Sequence, residues 1–500
     1  MTTAAHNSRA GRLGAGSVAG ALATHWATAL LWVGMGAHAA IFSWLSLARH
    51  RAFYTGRLDL GNMMQAAWST GHGDLLSTTA IDGEQFSRLG VHVDPLLVLF
   101  APLLRLWPRP EILLVSQVVA VSLGALAIFW LGRRWLGSDP LALAGAGAYL
   151  LYPPLQWAAI TEFHPVTLAA PLLAFAIWAA ETGRLGRLAL FAGLALLAKE
   201  EVGLSIAVLG IWMAVRGRRR AGLWLAAVSL AWVIVAVGIV IPAFSAGGSE
   251  LAGRYADLGD GPGEIVLALL LRPWKIIEAL GLDWLLLVKL LAPLLLLPLA
   301  APLLAAGALP DTLLNVLSSH GPQHGIVNHY ASVPTPFLVA SAVLGLAALR
   351  ERVPWVRLRR TLRALPLALI PSGLVAGVLL GPVPWWSDLP LASKGRTYEY
   401  TVTAHADALR RAVAVVPDGA AVSASNHIGA HLSARRRIHM FPVVADAEWV
   451  VIDVGRRPFG LEVGPAEHTA GLIAFLSRPG FRLVFSENGA LVYRRAGAAP

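Results

Sequence analysis

Asp59 stands between two leucines in RLDLGNMMQAAWSTGHG, residues 57–73, directly after a long apolar run. A carboxylate there can take a proton from an acceptor hydroxyl, or hold a divalent cation beside a phosphate. It can equally cap the helix that the following apolar spacing predicts. Asn62, Gln65, Trp68 and His72 follow in the same stretch, and Glu84 lies a little further on. In RLGVHVDPLLVLFAPLLRLWP, His92 and Asp94 are two residues apart, which puts them on one side of an extended segment. That pair could bind a metal or phosphate, while Asp94 before Pro95 is also a natural helix start. The stretch 95–107 reads as a short interfacial helix.

Three further groups stand among apolar residues. TEFHP sets Glu162 and His164 before Pro165, and LLAKEEVGL sets Lys199, Glu200 and Glu201 inside an otherwise apolar 188–215. Ionisable groups at membrane depth are costly and usually face a cavity or a partner. Lys199 can meet phosphate oxygens as a point charge; the plain alternative is a solvated hairpin tip. SSHGPQHGIVNHYASVP carries His320, His324, His329 and Tyr330, spaced for a substrate-contacting or ordinary polar loop rather than for zinc. No Walker loop, dinucleotide fingerprint or nucleophile elbow is present.

The elements that position these residues follow from composition. Of 500 residues, 56% are hydrophobic and 14% charged, against about 25% charged in a soluble protein. The mean hydropathy is +0.62. An α-helical polytopic membrane protein is expected. The net charge of +11 resides in arginines between apolar segments, where basic residues set topology, and not in a nucleic-acid surface. There is no cysteine, so disulfides, thiolate metal sites and cysteine nucleophiles are excluded. Arg9 and Arg12 precede an apolar stretch at 26–46 that reads as a retained first span.

Eleven spans are expected, near 26–46, 111–131, 140–157, 165–181, 187–198, 202–215, 221–244, 284–299, 301–318, 331–349 and 364–382. Splitting 284–318 at its prolines puts every dense arginine cluster between spans on the cytoplasmic side: Arg133 and Arg134; Arg184 and Arg187; Arg216 with 218–220; Arg350 with Arg352, Arg357, Arg359, Arg360 and Arg363. The expected organisation is a cytoplasmic N-terminus (1–25), a transmembrane domain (26–384) with a large first outer loop (47–110), and an extracytoplasmic α/β domain (385–500). In the last, AAVSAS and WVVIDV read as strands, and FRLVFSENGALVYRR reads as a hairpin turning at Asn488-Gly489. Asp59, Glu84, His92, Asp94, Glu162, His164, Lys199, Glu200, Glu201, His329 and Tyr330 then all fall on the outer side.

Several blocks occur in order: LDLGNMMQAAW, GVHVDPLLVLFAPLLRLWPRPEILLVSQ, TEFHP, AKEEVGL, LPDTLLNVLSS with NHYASVP, and PDGAAVSASNHIGAHLSARRRIHMFP. Together they resemble bacterial predicted membrane proteins grouped as domain of unknown function 2079, over roughly residues 50 to 460. That family is in turn similar to GT-C glycosyltransferases. This second resemblance implies a GT-C-like transmembrane domain, an outer C-terminal domain, a lipid-phosphate-linked sugar donor, and an acidic residue in the first outer loop, here Asp59. Leu60 and Gly61 stand where the paired-acid form of that motif would place its second acid, which weakens a metal role for Asp59 and leaves the base role.

The resulting expectation is transfer of a sugar from a polyprenyl-phosphate donor to a glycan, lipid or protein acceptor at the outer face of a bacterial inner membrane. Asp59 would be the base. Lys199, with His92 or His329, would steady the departing phosphate. Glu162, His164, Glu200 and Glu201 would meet acceptor or sugar hydroxyls, and Gln65, Glu84, Asp94 and Tyr330 complete the substrate-facing set. A magnesium or manganese ion is left open. The alternatives are a transporter or flippase for a lipid or small solute, and a non-catalytic assembly protein.

Overall fold

The computed structural model describes residues 16–245, 253–352, 365–392, 397–456 and 464–498. Arg9, Arg12, Arg357, Arg359, Arg360 and Arg363, used above for topology, lie outside the described residues. The chain is mainly helical. Its first ten helices are α1 Gly16–Arg51, α2 Asn62–Gly71, α3 Ala101–Leu106, α4 Glu111–Leu136, α5 Asp139–Leu150, α6 Pro153–Ile160, α7 Ala169–Thr182, α8 Leu185–Leu196, α9 Val202–Val215 and α10 Arg219–Val235. Among the described residues, four helical stretches are long and apolar enough to cross a membrane: His25–Arg51, Glu111–Leu136, Pro165–Thr182 and Arg219–Phe244.

The remaining apolar segments are shorter, for visible reasons. Pro153 and Pro154 open α6 just after α5 ends at Leu150, so 140–157 is two helices. The charged tip 199–201 separates α8 from α9. The stretch 284–318 is not two straight spans: Pro293, Pro298 and Pro302 divide it into the helix Trp284–Leu291, 3-10 turns at Ala292–Leu294 and Leu297–Ala300, and the helices Pro302–Ala305 and Leu309–Leu317. Pro262–Leu271 and Trp274–Leu282, which fall in none of the expected spans, are two helices with no buried residue. The core of the helical body runs through α4, α7 and α9, with Val118, Val121, Ile128, Leu173, Ile177, Ile206 and Leu209 fully shielded.

The α/β unit near the C-terminus is a five-stranded sheet in the order β4-β3-β5-β7-β6. Its strands are β3 Val422–Ala424, β4 Ile438–Met440, β5 Trp449–Asp453, β6 Phe481–Glu487 and β7 Ala490–Arg495. β4, β3 and β5 run parallel, while β7 pairs antiparallel with both β5 and β6. The parallel strands are covered on both faces and buried throughout, the polar Ser423, His439 and Asp453 included. Leu409 and Ala412 of the helix Ala404–Val415 lie against Val422, Val451 and Val492 on one face. Phe441, Val450, Ile452 and Phe475 fill the other. The β6–β7 turn is Asn488-Gly489, both at positive φ, as an Asn-Gly hairpin requires. A separate hairpin, β1 Ser77–Thr79 with β2 Gln85–Ser87, lies in the first long loop.

Candidate functional site

The Asp59 stretch forms a five-residue π-helical turn, Arg57–Gly61, leading into α2. No local side chain caps it. Its N–H groups are instead satisfied by residues remote in sequence. Gly56 N–H donates to both carboxylate oxygens of Glu162 at 3.1 and 3.0 Å, and Leu60 N–H donates to Glu162 Oε2 at 2.8 Å. Leu58 N–H donates to Asn426 Oδ1 at 3.1 Å. Asp59 therefore does not act as the cap proposed above. Its side chain is 49% exposed, toward a cavity, and its Oδ1 stands 3.4 Å from His164 Nε2.

Glu162 and His164 are held by α4. The Gln117 amide donates to the Glu162 carbonyl at 2.5 Å and accepts the His164 N–H at 2.9 Å. Glu162 itself adopts a positive φ of 42°, a strained conformation for a side chain of its size, and its carboxyl is buried. Burial, and then the charge of Asp59, push Glu162 up to about 8 against its backbone donors. Burial also opposes ionisation of Asp59. The hydrogen bond and charge of His164, with Arg88 and Arg254 behind it, overcome that and hold Asp59 below its ordinary value.

Two adjoining cavities meet at this point. The smaller, about 240 Å³, is polar: Arg57, Asp59, Asn62, Arg88, Asp94 and His164 line it. The larger, about 650 Å³, is walled by Leu204, Val233, Val237, Ile241, Ile265 and Val266, with Glu201, Asp311 and Tyr255 among its polar groups. Lys199, Arg254, His329, Tyr330 and Val166 line both. A single boundary thus carries two cations, with Asp59 and Asp94 on one side and, on the other, apolar walls together with Glu200, Glu201 and Asp311.

Most charges here are already engaged. Arg88 Nε donates to Asp94 Oδ2 at 2.7 Å and its Nη1 to Asn62 Oδ1 at 3.1 Å. Asp94 precedes Pro95 at a helix start, but its carboxylate takes Arg88 instead of capping. His92 Nδ1 and Val93 N–H both donate to Glu200, each at 2.9 Å. Lys199 Nζ lies 2.5 Å from Glu201 Oε1. Arg254 has no carboxylate within ion-pair distance among the described residues; its Nη1 reaches Gln323 Oε1 at 3.5 Å. The His329 ring stacks on His164 at 3.6 Å, and burial holds His329 well below its ordinary value, hence neutral. It can offer a hydrogen bond to phosphate but not the charge expected of it.

Of the expected residues, Asp59, His92, Asp94, His164, Lys199, His329 and Tyr330 line the smaller cavity, and Glu200 and Glu201 join from the larger. Glu162 stands behind Asp59, bonded to backbone. Gln65 lines neither: its amide donates to Thr79 Oγ1 and to the carbonyls of Arg435 and Arg436, and it accepts from Thr78 of β1, which lies beside α2. Glu84 is exposed at the β1–β2 turn, away from both cavities. Among the described residues no group of three or more His, Asp or Glu side chains is arranged to hold a metal. With Asp94 taken by Arg88 and Glu200 by His92, magnesium or manganese has no ready donor set beside Asp59.

Sequence reading missed Arg88, Arg254, Asp311 and Asn426. Arg88 precedes Asp94 by six residues, a signal that was available. Arg254 and Tyr255 lie in a polar stretch between apolar runs, which pointed to the site's side of the chain. Nothing local marks Asn426.

The model of the family described as "Predicted membrane protein (DUF2079)" matches residues 49–467. The chain belongs to this family. No curated protein matches it. Among solved structures, the DUF2079 chain aligns with ArnT from Cupriavidus metallidurans, in a crystal structure bound to undecaprenyl phosphate, at 12% identity and a TM-score of 0.49 over 94% of this chain and 99% of that one. It aligns with the same protein in the apo state at 14% identity and a TM-score of 0.49 over 94% and 100%. Overlap that loose assigns no shared chemistry.

Proposed function

We propose that this protein transfers a sugar from a polyprenyl-phosphate donor to an acceptor hydroxyl at the outer face of a bacterial inner membrane. The observation that supports this is the pair of cavities meeting at Lys199 and Arg254. The apolar cavity, about 650 Å³, is within the usual range for a ligand pocket, about 300–1,000 Å³, and suits the lipid end of the donor. The shared boundary suits its phosphate. The smaller polar cavity suits sugar and acceptor.

In this arrangement the acceptor oxygen attacks the anomeric carbon from the face opposite the phosphate. The bond from that carbon to the phosphate oxygen breaks, and its electrons stay on the phosphate. Lys199 and Arg254 steady that charge at the boundary. Asp59 takes the acceptor proton. Its carboxyl lies below its ordinary value, so it is ionised throughout the neutral range, and it takes the proton late, once bond formation has acidified the hydroxyl.

The test is binding and turnover of polyprenyl-phosphate sugars by the purified wild-type protein and by Asp59→Asn, both checked for equal folding. Wild type should release polyprenyl phosphate, while Asp59→Asn binds donor and loses about 10³-fold in turnover. Absence of binding and release across a broad donor panel would remove the enzyme reading and leave solute flux as the next measurement.

A further inference from the structure

We infer that Asn426 of the C-terminal α/β unit is a positioning residue for Asp59, so that this unit forms part of the site instead of only flanking it. The inference rests on the reading of Asp59 as the base, but the contacts that carry it are independent of the reaction.

Three backbone N–H groups around Asp59 have side-chain acceptors. Glu162 takes Gly56 and Leu60, and Asn426 takes Leu58, the residue immediately before Asp59. Asn426 is buried and opens the short helix Asn426–Gly429, directly after β3 and Ser425. Its carbonyl oxygen therefore comes from just beyond the C-terminal end of an inner strand, paired on both sides, not from a mobile surface chain.

The fit is close on both sides of the turn. A Cβ on Gly56 would stand 2.9 Å from Asn426 Nδ2, and one on Gly61 would stand 2.6 Å from Ser433 Oγ. Glycine at both positions is what lets residues 426–433 lie against the turn. Arg57, 1% exposed, fixes the other flank by donating to Ile438 O at 3.0 Å and to the carbonyl of Thr79. The π-helical turn has no local side-chain cap. An isolated turn of five residues is not stable alone, so its shape, and the direction of Asp59, is set by Glu162 on one side and Asn426 on the other. Removing the Asn426 oxygen leaves the Leu58 N–H without an acceptor one residue from the carboxylate.

The chain has no cysteine, so Asp59→Cys provides a unique labelling point that reports on the turn whether or not the protein is an enzyme. A nitroxide at position 59 is expected to be immobilised in otherwise wild-type protein. Adding Asn426→Ala should sharpen its spectrum and speed maleimide labelling about 10-fold, while Asn426→Asp, which keeps an acceptor oxygen, restores the wild-type behaviour. A probe introduced by Glu84→Cys, on the same loop but away from the turn, should not respond to either. If Asn426→Ala is not recovered folded, Gly56→Ala displaces the same amide by contact and serves instead.

An unchanged probe at 59 in folded Asn426→Ala protein would overturn the inference, and so would equal loosening at 59 and 84. With Asp59 intact, Asn426→Ala should lower kcat about 10- to 100-fold with donor KM unchanged, as displacement of a reacting group does; unchanged kcat would also overturn it. If the wild type transfers no sugar, the labelling experiment still decides the role of Asn426, and only the transferase reading falls.

Discussion

Helix α9 has charged groups at both ends, and they are handled differently. Where it begins, Lys199 meets Glu201 at 2.5 Å and His92 meets Glu200 at 2.9 Å, with none of these four side chains more than 16% exposed. Where it ends, Arg216 and Arg134 share Glu181 at 3.5 and 3.0 Å, and both arginines are about half exposed. Nearby, Arg133 pairs with Asp139 in the same open manner. Burying charge is costly and is repaid only by close partners, so the ion pairs at the Lys199 end mark where the protein needs charge in a dry place. The arginines at the other end cost little where they stand.

The comparison is broken most strongly at Lys199. Lys199→Met should reduce kcat/KM for a lipid-linked donor about 10²-fold by removing charge at the cavity boundary. It should also destabilise the protein by about 1–3 kcal/mol, since Glu201, only 15% exposed, is left without its cation. Turnover and thermal melting in the same preparation measure both. A Lys199→Met protein with wild-type kcat/KM would remove phosphate from this boundary.

Glu162→Ala comes next. It strips the acceptor from Gly56 and Leu60 N–H and should cost about 1–3 kcal/mol, with turnover lost through displacement of Asp59. A denaturant titration gives the first quantity; Glu162→Gln, which keeps one carbonyl oxygen, should recover part of it.

The α/β unit supplies a pH-dependent contrast. Burial holds His427, His431 and His439 below the ordinary histidine value, with His439 at about 4. Between about pH 4 and 6.5 the unfolded chain therefore binds more protons than the folded one. Stability of this unit should fall as pH drops through that window, read as faster hydrogen exchange in β3 and β5 at pH 5 than at pH 7. His439→Gln should reduce the slope, and a slope of opposite sign would show that these rings are charged when folded.

The smallest effect is expected at the other end of α9. Arg134→Ala removes a half-exposed arginine from the buried Glu181, which keeps Arg216, and should change stability by no more than about 1 kcal/mol, with donor turnover unaltered. A large loss of turnover would mean that the two ends are coupled through α9.

What was legible in the sequence was legible because the signal is local. Apolar runs gave the helical body, Asn488-Gly489 gave the last hairpin, and charged residues among apolar ones gave Lys199 and Glu200. The helices Pro262–Leu271 and Trp274–Leu282 fall outside the expected spans because each is too short to cross a bilayer and Arg272-Pro273, Lys275 and Glu278 interrupt the apolar run. The site was legible in its residue types but not in their roles. Gln65 and Glu162 look like substrate ligands by type, yet both spend their polar atoms on backbone, one on carbonyls of Arg435 and Arg436 and the other on Gly56 and Leu60. Such pairings join segments 102 to 371 positions apart, and no spacing rule within a window reaches them.

That separation also has a consequence in time. Leu58 and Asn426 are 368 positions apart, and at about 5–20 residues per second roughly 20–70 s of synthesis lie between them. Once Glu162 has been made, 102 positions beyond Leu60, the turn can take that partner but not its second one, and until residue 426 follows, hydration must serve the Leu58 N–H. A nascent chain halted before residue 426 would hold most of the helical body and both cations of the cavity boundary, yet lack the second acceptor of the turn. If Asp59 acts as proposed, its turn is complete only when residue 426 has been made and packs against it.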